Sequence, residues 1–201
     1  MNTINVAVIY CSKYGHTKRM AEAVLDGVQS FHKTGAVLLT AQEAAARLAE
    51  LDSCEAIIFG SPTYMGSMAA EFKMFIEATV EKWFSRAWAN KIAGGFTNSS
   101  NFFGDKENTL KELFAAAMQL GMIWVGVNDL PAANQPETMK SLAGPDEFSL
   151  NRVSASTGPM AASFSVKADR APGNGDLETA RNYGRRIAEI ATQFKRGAKK
   201  E

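Results

Sequence analysis

Ala56-Ile57-Ile58-Phe59-Gly60 is apolar at every position. A strand with one face in water alternates apolar and polar residues. A run with no polar face belongs to a strand covered on both sides, as in a parallel sheet held between helices. Residues 4–10, Ala36-Val37-Leu38-Leu39, Lys91 to Phe96 and Met122 to Val127 supply four more strand patterns. Gly94-Gly95 is expected to shorten the fourth. Helical spacing separates them. Met20, Val24, Val28 and Phe31 fall on one face of a helix over about 16–31, with Gly35 closing that unit. Ala44 to Leu51 reads as a second helix. Met68, Phe72, Phe75, Ile76 and Thr79 mark a third, and Asn108 to Leu120, ended by Gly121, a fourth. Leu177, Ala180, Tyr183, Ile187, Ile190 and Phe194 mark the last helix, with Asp176 as its expected N-cap.

Strands alternating with helices argue for an α/β fold: a doubly wound five-stranded parallel sheet with helices on both faces. Right-handed crossovers leave few topologies, and the order 2-1-3-4-5 is expected. The 201 residues suffice for a single domain, 1–201, with a long irregular insertion at about 128–174. That stretch holds five of the six prolines and shows no clear period, which marks it as a pocket wall or subunit contact rather than an idle loop.

In this order, ligands sit beyond the carboxyl ends of strands one, three and four. The first loop is Cys11-Ser12-Lys13-Tyr14-Gly15-His16-Thr17. Its helix-start N–H groups have no partners inside the helix, and the helix dipole adds partial positive charge, so a phosphate is the expected guest. Ser12 and Thr17 add hydroxyls, and Gly15 lets the backbone come close. The second loop is Ser61-Pro62-Thr63-Tyr64-Met65-Gly66-Ser67, where Pro62 stiffens the turn and Thr63 to Gly66 present backbone groups and an aromatic ring. Tyr14 and Tyr64 are expected on neighbouring loops, bordering a planar ligand. The third loop, Thr97-Asn98-Ser99-Ser100-Asn101-Phe102-Phe103-Gly104, offers amides and hydroxyls to a ring edge. Phosphate turn, aromatic loop and polar edge loop together describe a phosphorylated planar cofactor such as FMN.

A net charge of +1 creates no strong field for nucleic acid. The basic end, Lys195-Arg196 and Lys199-Lys200, reads as a solvated tail. No apolar run approaches the ~18 residues of a membrane span, and residues 1–10 lack the pattern of a signal peptide. Cys11 and Cys54 have no metal-type spacing and are expected to stay reduced, so the cytoplasm is the expected location.

Tyr10 to Thr17 with Met20-Ala21, Ala56 to Thr63, and Gly66-Ser67-Met68-Ala69 resemble the WrbA-type NAD(P)H:quinone oxidoreductases, FMN enzymes of the flavodoxin-like superfamily. The resemblance covers residues 4–127 and returns at Leu177 to Gly184. It implies that Ser12, Lys13, Tyr14, Gly15, His16 and Thr17 wrap the FMN phosphate and ribityl end. It implies that Thr63, Tyr64, Met65 and Gly66, after Pro62, meet the ring, and that Thr97, Asn98, Ser99, Ser100 and Gly104 contact its other edge. NAD(P)H would be the co-substrate, a quinone-like molecule the acceptor, and the chain a homo-oligomer, dimer or tetramer. The third loop departs from the family's glycine-rich pattern, with Gly104 its single glycine. Backbone N–H groups near Tyr64–Gly66 would stabilise the reduced ring, with no side-chain nucleophile needed.

Three other readings are weighed. A flavodoxin-type one-electron carrier is the main alternative, although such carriers resemble one another in being strongly acidic. A low-molecular-weight phosphatase would need arginine six positions after Cys11, where Thr17 stands, and no P-loop signature occurs. A flavodoxin-like scaffold without flavin is the third.

Overall fold

Among the described residues, strands and helices follow one another along the chain, seven strands and seven α-helices in all. The computed structural model describes residues 3–136, 138–139 and 142–198, so Lys199 and Lys200 of the expected tail lie outside the described residues. The strands are β1 (Ile4–Tyr10), β2 (Thr34–Thr40), β3 (Ala56–Tyr64), β4 (Ser67–Met68), β5 (Ile92–Ser99), β6 (Ile123–Trp124) and β7 (Met160–Ala162). The helices are α1 (His16–Ser30), α2 (Ala41–Ala46), α3 (Leu48–Leu51), α4 (Ala70–Ala78), α5 (Val80–Ser85), α6 (Lys106–Gln119) and α7 (Asn174–Gly197). The central path runs β2-β1-β3-β5-β6, all parallel, which is the expected order of five strands.

The two faces of the sheet bury alternate residues, as the period of two requires. Val6, Val8, Ile58 and Phe96 face α1 and α7 and meet Val24, Val28, Tyr183 and Ile187. Ala7, Ile9, Ile57 and Phe59 face the other way, onto Phe72, Phe75, Leu110 and Leu113. Helices α1 and α7 cross closely through two glycines: a Cβ on Gly27 would strike the Arg181 carbonyl, and one on Gly184 the Val24 carbonyl.

The structure corrects several sequence expectations. Gly94 and Gly95 do not shorten β5, which runs through both to Ser99. They make room: a Cβ on Gly94 would collide with the Tyr183 hydroxyl, and one on Gly95 with Trp124. Gly35 lies inside β2 rather than closing α1, which ends at Ser30. The helix expected over Ala44 to Leu51 is two short helices, the first opened by a capping box between Thr40 and Glu43. Met68 pairs in β4 instead of joining the following helix. Asp176 is not an N-cap. Gly173 holds that position, and Asp176 sits buried in the first turn against Arg152. Lys195 is not part of a free tail either, since its ammonium bonds Glu55 at 2.6 Å and the Thr3 carbonyl at 3.0 Å.

The largest departure concerns the fifth strand. Only Ile123–Trp124 pairs with the start of β5, while β7 pairs with its far end, Thr97↔Met160 to Ser99↔Ala162. The strand expected over Met122 to Val127 is therefore split. The chain leaves the sheet edge after Val127, whose N–H bonds the Ser156 carbonyl at 2.8 Å, and rejoins it at β7. The apolar pattern of 122–127 could not show that the rest of the strand's place is taken by residues more than thirty positions later.

Candidate functional site

The carboxyl ends of β1, β3 and β5 open on a cavity of about 600 Å³. It is lined by Ser12, Tyr14, His16, Thr17, Pro62, Thr63, Tyr64, Asn98, Ser99 and Ser100 from the three expected loops, and by Ser163, Ser165, Val166, Lys167 and Ala168. Its size falls in the range of ordinary small-molecule and cofactor sites.

The α1 end of this cavity is built for an anion. Gly15 is the N-cap, in the left-handed region at φ 91°, and no side chain caps the helix. The first turn carries no acidic residue. Its orphan N–H groups and the helix dipole favour a negative guest. The Ser12 hydroxyl accepts the Gly15 N–H at 3.1 Å, which leaves its own proton free to donate. A Cβ on Gly15 would stand 2.8 Å from the Ala168 Cβ, so the turn is also closed from outside. This donor set fits a phosphate monoester.

The second loop is more regular than expected. Ser61, Pro62, Thr63 and Tyr64 continue β3, and Met65-Gly66 form a tight hairpin turn into β4, both at positive φ. Pro62 pairs near the strand's carboxyl end, where its missing N–H costs little. Glu112 on α6 staples the hairpin, accepting from the Ser67 hydroxyl at 2.8 Å and the Met68 N–H at 2.8 Å. Thr63 anchors its base through hydroxyl contacts to Thr97 at 2.9 Å and Thr109 at 2.8 Å. Tyr14 and Tyr64 meet edge to face, ring centres 6.2 Å apart, as expected of neighbouring loops.

The third loop likewise begins as strand, through Thr97, Asn98 and Ser99. It is zipped to the segment after β7. The Ser99 carbonyl accepts the Ser163 N–H at 3.0 Å, and the Ser100 carbonyl the Phe164 N–H at 2.7 Å. The Asn98 amide meets the Ser163 hydroxyl at 3.3 Å. The segment's other end is tied to α1, where the His16 Nε2 meets the Val166 carbonyl at 2.6 Å and Arg19 donates to the Ala168 carbonyl at 2.9 Å. Residues 163–168 thus strap the cavity from its α1 end to its polar end.

Not every expected site residue borders this cavity. Lys13 and Gly15 border a neighbouring cavity of about 340 Å³ on the other side of the first loop. Met65 points wholly into solvent at the hairpin tip, beside Gly66. Thr97 is buried beneath the floor, and Gly104, at φ 51°, packs against Ser99. The strap was not named from sequence. A signal was present in Met160-Ala161-Ala162, a short apolar run followed by Ser163-Phe164-Ser165, which resembles the third loop's mix of hydroxyls and rings.

Two further groups bear on the chemistry. Cys11 is buried, and desolvation pushes its thiol up to about 11, which favours the protonated form at neutral pH. Cys11 and Cys54 are both free thiols. Among the described residues no acidic, cysteine and histidine cluster could hold a metal, and no helix is long and apolar enough to cross a membrane.

The sequence matches the flavodoxin domain family over residues 7–119. It is 40% identical over 191 residues to a protein named flavodoxin FldP from Pseudomonas aeruginosa, covering 93% of this chain and 96% of that one. It is 32% identical over 216 residues to an NAD(P)H dehydrogenase (quinone) from Syntrophobacter fumaroxidans, covering 96% and 100%. The crystal structure of a flavodoxin, WrbA-like protein from Agrobacterium tumefaciens superposes with a TM-score of 0.69 at 38% identity, over 96% of this chain and 99% of that one. Parallel sheet, uncapped helix start at the cavity and full-length likeness agree: this chain belongs to the flavodoxin-like superfamily, with the WrbA-type NAD(P)H:quinone oxidoreductases.

Proposed function

We propose that the chain binds FMN in the 600 Å³ cavity and passes two electrons from NAD(P)H to a quinone or similar flat acceptor. The observation that carries this reading is the meeting of an uncapped helix N-terminus with an aromatic wall and a polar wall around one cavity. When bound, FMN supplies the electron-transfer chemistry, and the protein supplies binding, orientation and electrostatics. Ser12, Thr17 and the first-turn amides of α1 would hold the phosphate. Tyr64, with Tyr14 beside it, would border the ring, and Asn98, Ser99, Ser100 and Ser163 would meet polar atoms at its edge. The relatives named NAD(P)H dehydrogenase (quinone) support the donor and acceptor classes. The free cysteines support a reducing compartment, and the reading places the protein in the cytoplasm. It acts as one domain with an excursion at about 128–174. Exposed apolar side chains on α4, α5 and α6, namely Met74, Val80, Trp83, Phe84, Phe114 and Met118, support assembly into a homo-oligomer.

The test begins with the visible spectrum of the protein after incubation with FMN and desalting. Retained flavin bands are expected, followed by NADH or NADPH oxidation that accelerates when benzoquinone is added. A colourless protein overturns the reading. The 40% identity to a protein named flavodoxin favours a second reading, a one-electron carrier. FMN-loaded protein that oxidises neither nicotinamide with any quinone or dye points to that carrier.

A further inference from the structure

Behind the polar wall lies a buried charge cluster that the proposed function does not use. Lys106, the first residue of α6, is 1% exposed. Its ammonium donates to the Ser99 hydroxyl at 2.9 Å and to the Asn101 carbonyl, both neutral acceptors. The nearby carboxylate is committed elsewhere. Asp176 accepts from Arg152 through both oxygens, at 2.8 and 2.7 Å, with both side chains almost fully buried. Arg152 in turn lies over the Phe102 and Phe164 rings, at 5.4 and 5.7 Å. Among the described residues, two buried cations therefore share one buried anion, and the one left without an ion pair touches a residue of the cavity wall.

A buried charge without a counter-ion is costly. A structural lysine would be expected to reach water or the carboxylate, yet Lys106 does neither. A negative charge gained in the cavity would be its missing partner, felt strongly through the low dielectric between them. We propose that Lys106 is a positioning residue for the reduced cofactor: held behind Ser99, its ammonium stabilises the negative charge that a flavin ring gains on reduction and so raises the potential of the bound flavin. This rests on the FMN reading above.

Desolvation lowers the ammonium's pKa to about 8, with Asp176 of α7 opposing that shift and Arg152 of the excursion adding to it. Reduction of the ring would raise it again, so the protein would take up a proton with the electrons above that pH.

The experiment is a spectroscopic redox titration of FMN-loaded wild-type protein and Lys106→Met across pH 6–10. The variant's midpoint potential is expected to be more negative at pH 7 by about 30 mV or more, the two-electron equivalent of a tenfold loss of preference for reduced flavin. The wild-type potential should fall more steeply above pH 8 than below it, and that steepening should vanish in the variant. Equal potentials and equal slopes overturn the assignment to Lys106 while leaving FMN binding standing. Wild-type protein that takes up no FMN overturns the functional reading itself. Should the variant fail to retain FMN, the wild-type slope decides: a constant slope from pH 7.5 to 10 refutes the proposal, and the steepening supports it.

Discussion

The Tyr183 hydroxyl accepts the Gly95 N–H at 3.1 Å and donates to the Val125 carbonyl at 2.5 Å. A helix side chain thus completes the sheet where the fifth strand is interrupted, between the residues paired by β6 and those paired by β7. Gly94 leaves space for the phenol, and burial pushes its pKa up, so it stays a protonated donor. Tyr183→Phe leaves one buried N–H and one buried carbonyl unpaired. The expected loss is about 1–3 kcal/mol of unfolding free energy, read by urea denaturation. A variant as stable as wild type shows that water fills the gap.

Gly15 tests the phosphate turn. Alanine there meets both the left-handed backbone and the Ala168 methyl, 2.8 Å away. Gly15→Ala is expected to weaken FMN binding about tenfold or more, equivalent to ~1.4 kcal/mol. Quenching of free FMN fluorescence on titration with protein measures it. An unchanged affinity means the phosphate sits elsewhere.

Asp176 holds the strap's root. It receives Arg152 twice and also accepts the Ala162 N–H at 3.3 Å. Removing one partner of a buried pair strands the other, so Asp176→Ala should cost about 3–5 kcal/mol. Hydrogen exchange should speed up at Ser163 and Phe164 before it does in β1. Uniform protection across both regions contradicts this role.

The pH dependence of stability follows from Lys106. In the unfolded chain a lysine titrates near ~10.4, whereas in the fold this one titrates near about 8. Between those values the unfolded state binds more protons, so stability rises with pH. The cost of burying the ammonium is present in full below about pH 8 and is relieved on the way to about 10.4. It amounts to on the order of 3 kcal/mol. Cys11 pulls the other way over part of this range, because its thiol is raised in the fold. The clean measurement is therefore the difference in unfolding free energy between wild type and Lys106→Met at pH 7.5 and pH 10. A difference that does not move with pH excludes the titration.

Glu112 offers a local test. It gathers Ser67, Met68 and Asn108 around one carboxylate. Glu112→Ala is expected to cost about 1.5–3 kcal/mol and to raise amide exchange at Met68. Full protection of that amide in the variant means the β3–β4 pairing stands alone.

The strands and helices were legible because continuous apolar runs and helical stripes of period 3.6 are local signals, and crossover handedness then left few strand orders. Phe72 and Phe75 declare their shared helix face without reference to anything distant. The first loop was legible for the same reason, since a strand, Gly15 and a helix start lie within eight residues. What escaped was whatever depended on sequence-distant partners. Gly94 looks like a strand breaker until Tyr183 is placed over it. Asp176 looks like a cap until Arg152 is placed beside it. Residues 163–168 lie in the stretch expected to be a pocket wall or subunit contact, but which residues form the wall shows only once His16 and Ser99 are found at either end. Lys106 falls between the expected third loop and the expected helix over Asn108 to Leu120, and nothing in its neighbours says that the third loop folds over it.

The split fifth strand has a consequence for how this scaffold can change. The excursion departs and returns at points already joined by the bond from Val127 to Ser156. Adding to or removing from the chain between them alters a loop whose closure entropy grows only slowly with length. The β2-β1-β3-β5 pairing is made by residues before the excursion begins. Yet the returning chain delivers the strap directly onto the cavity. The fold therefore separates a fixed half of the cavity, set by α1 and β3, from an interchangeable half, and the shape of the second can change without rebuilding the first.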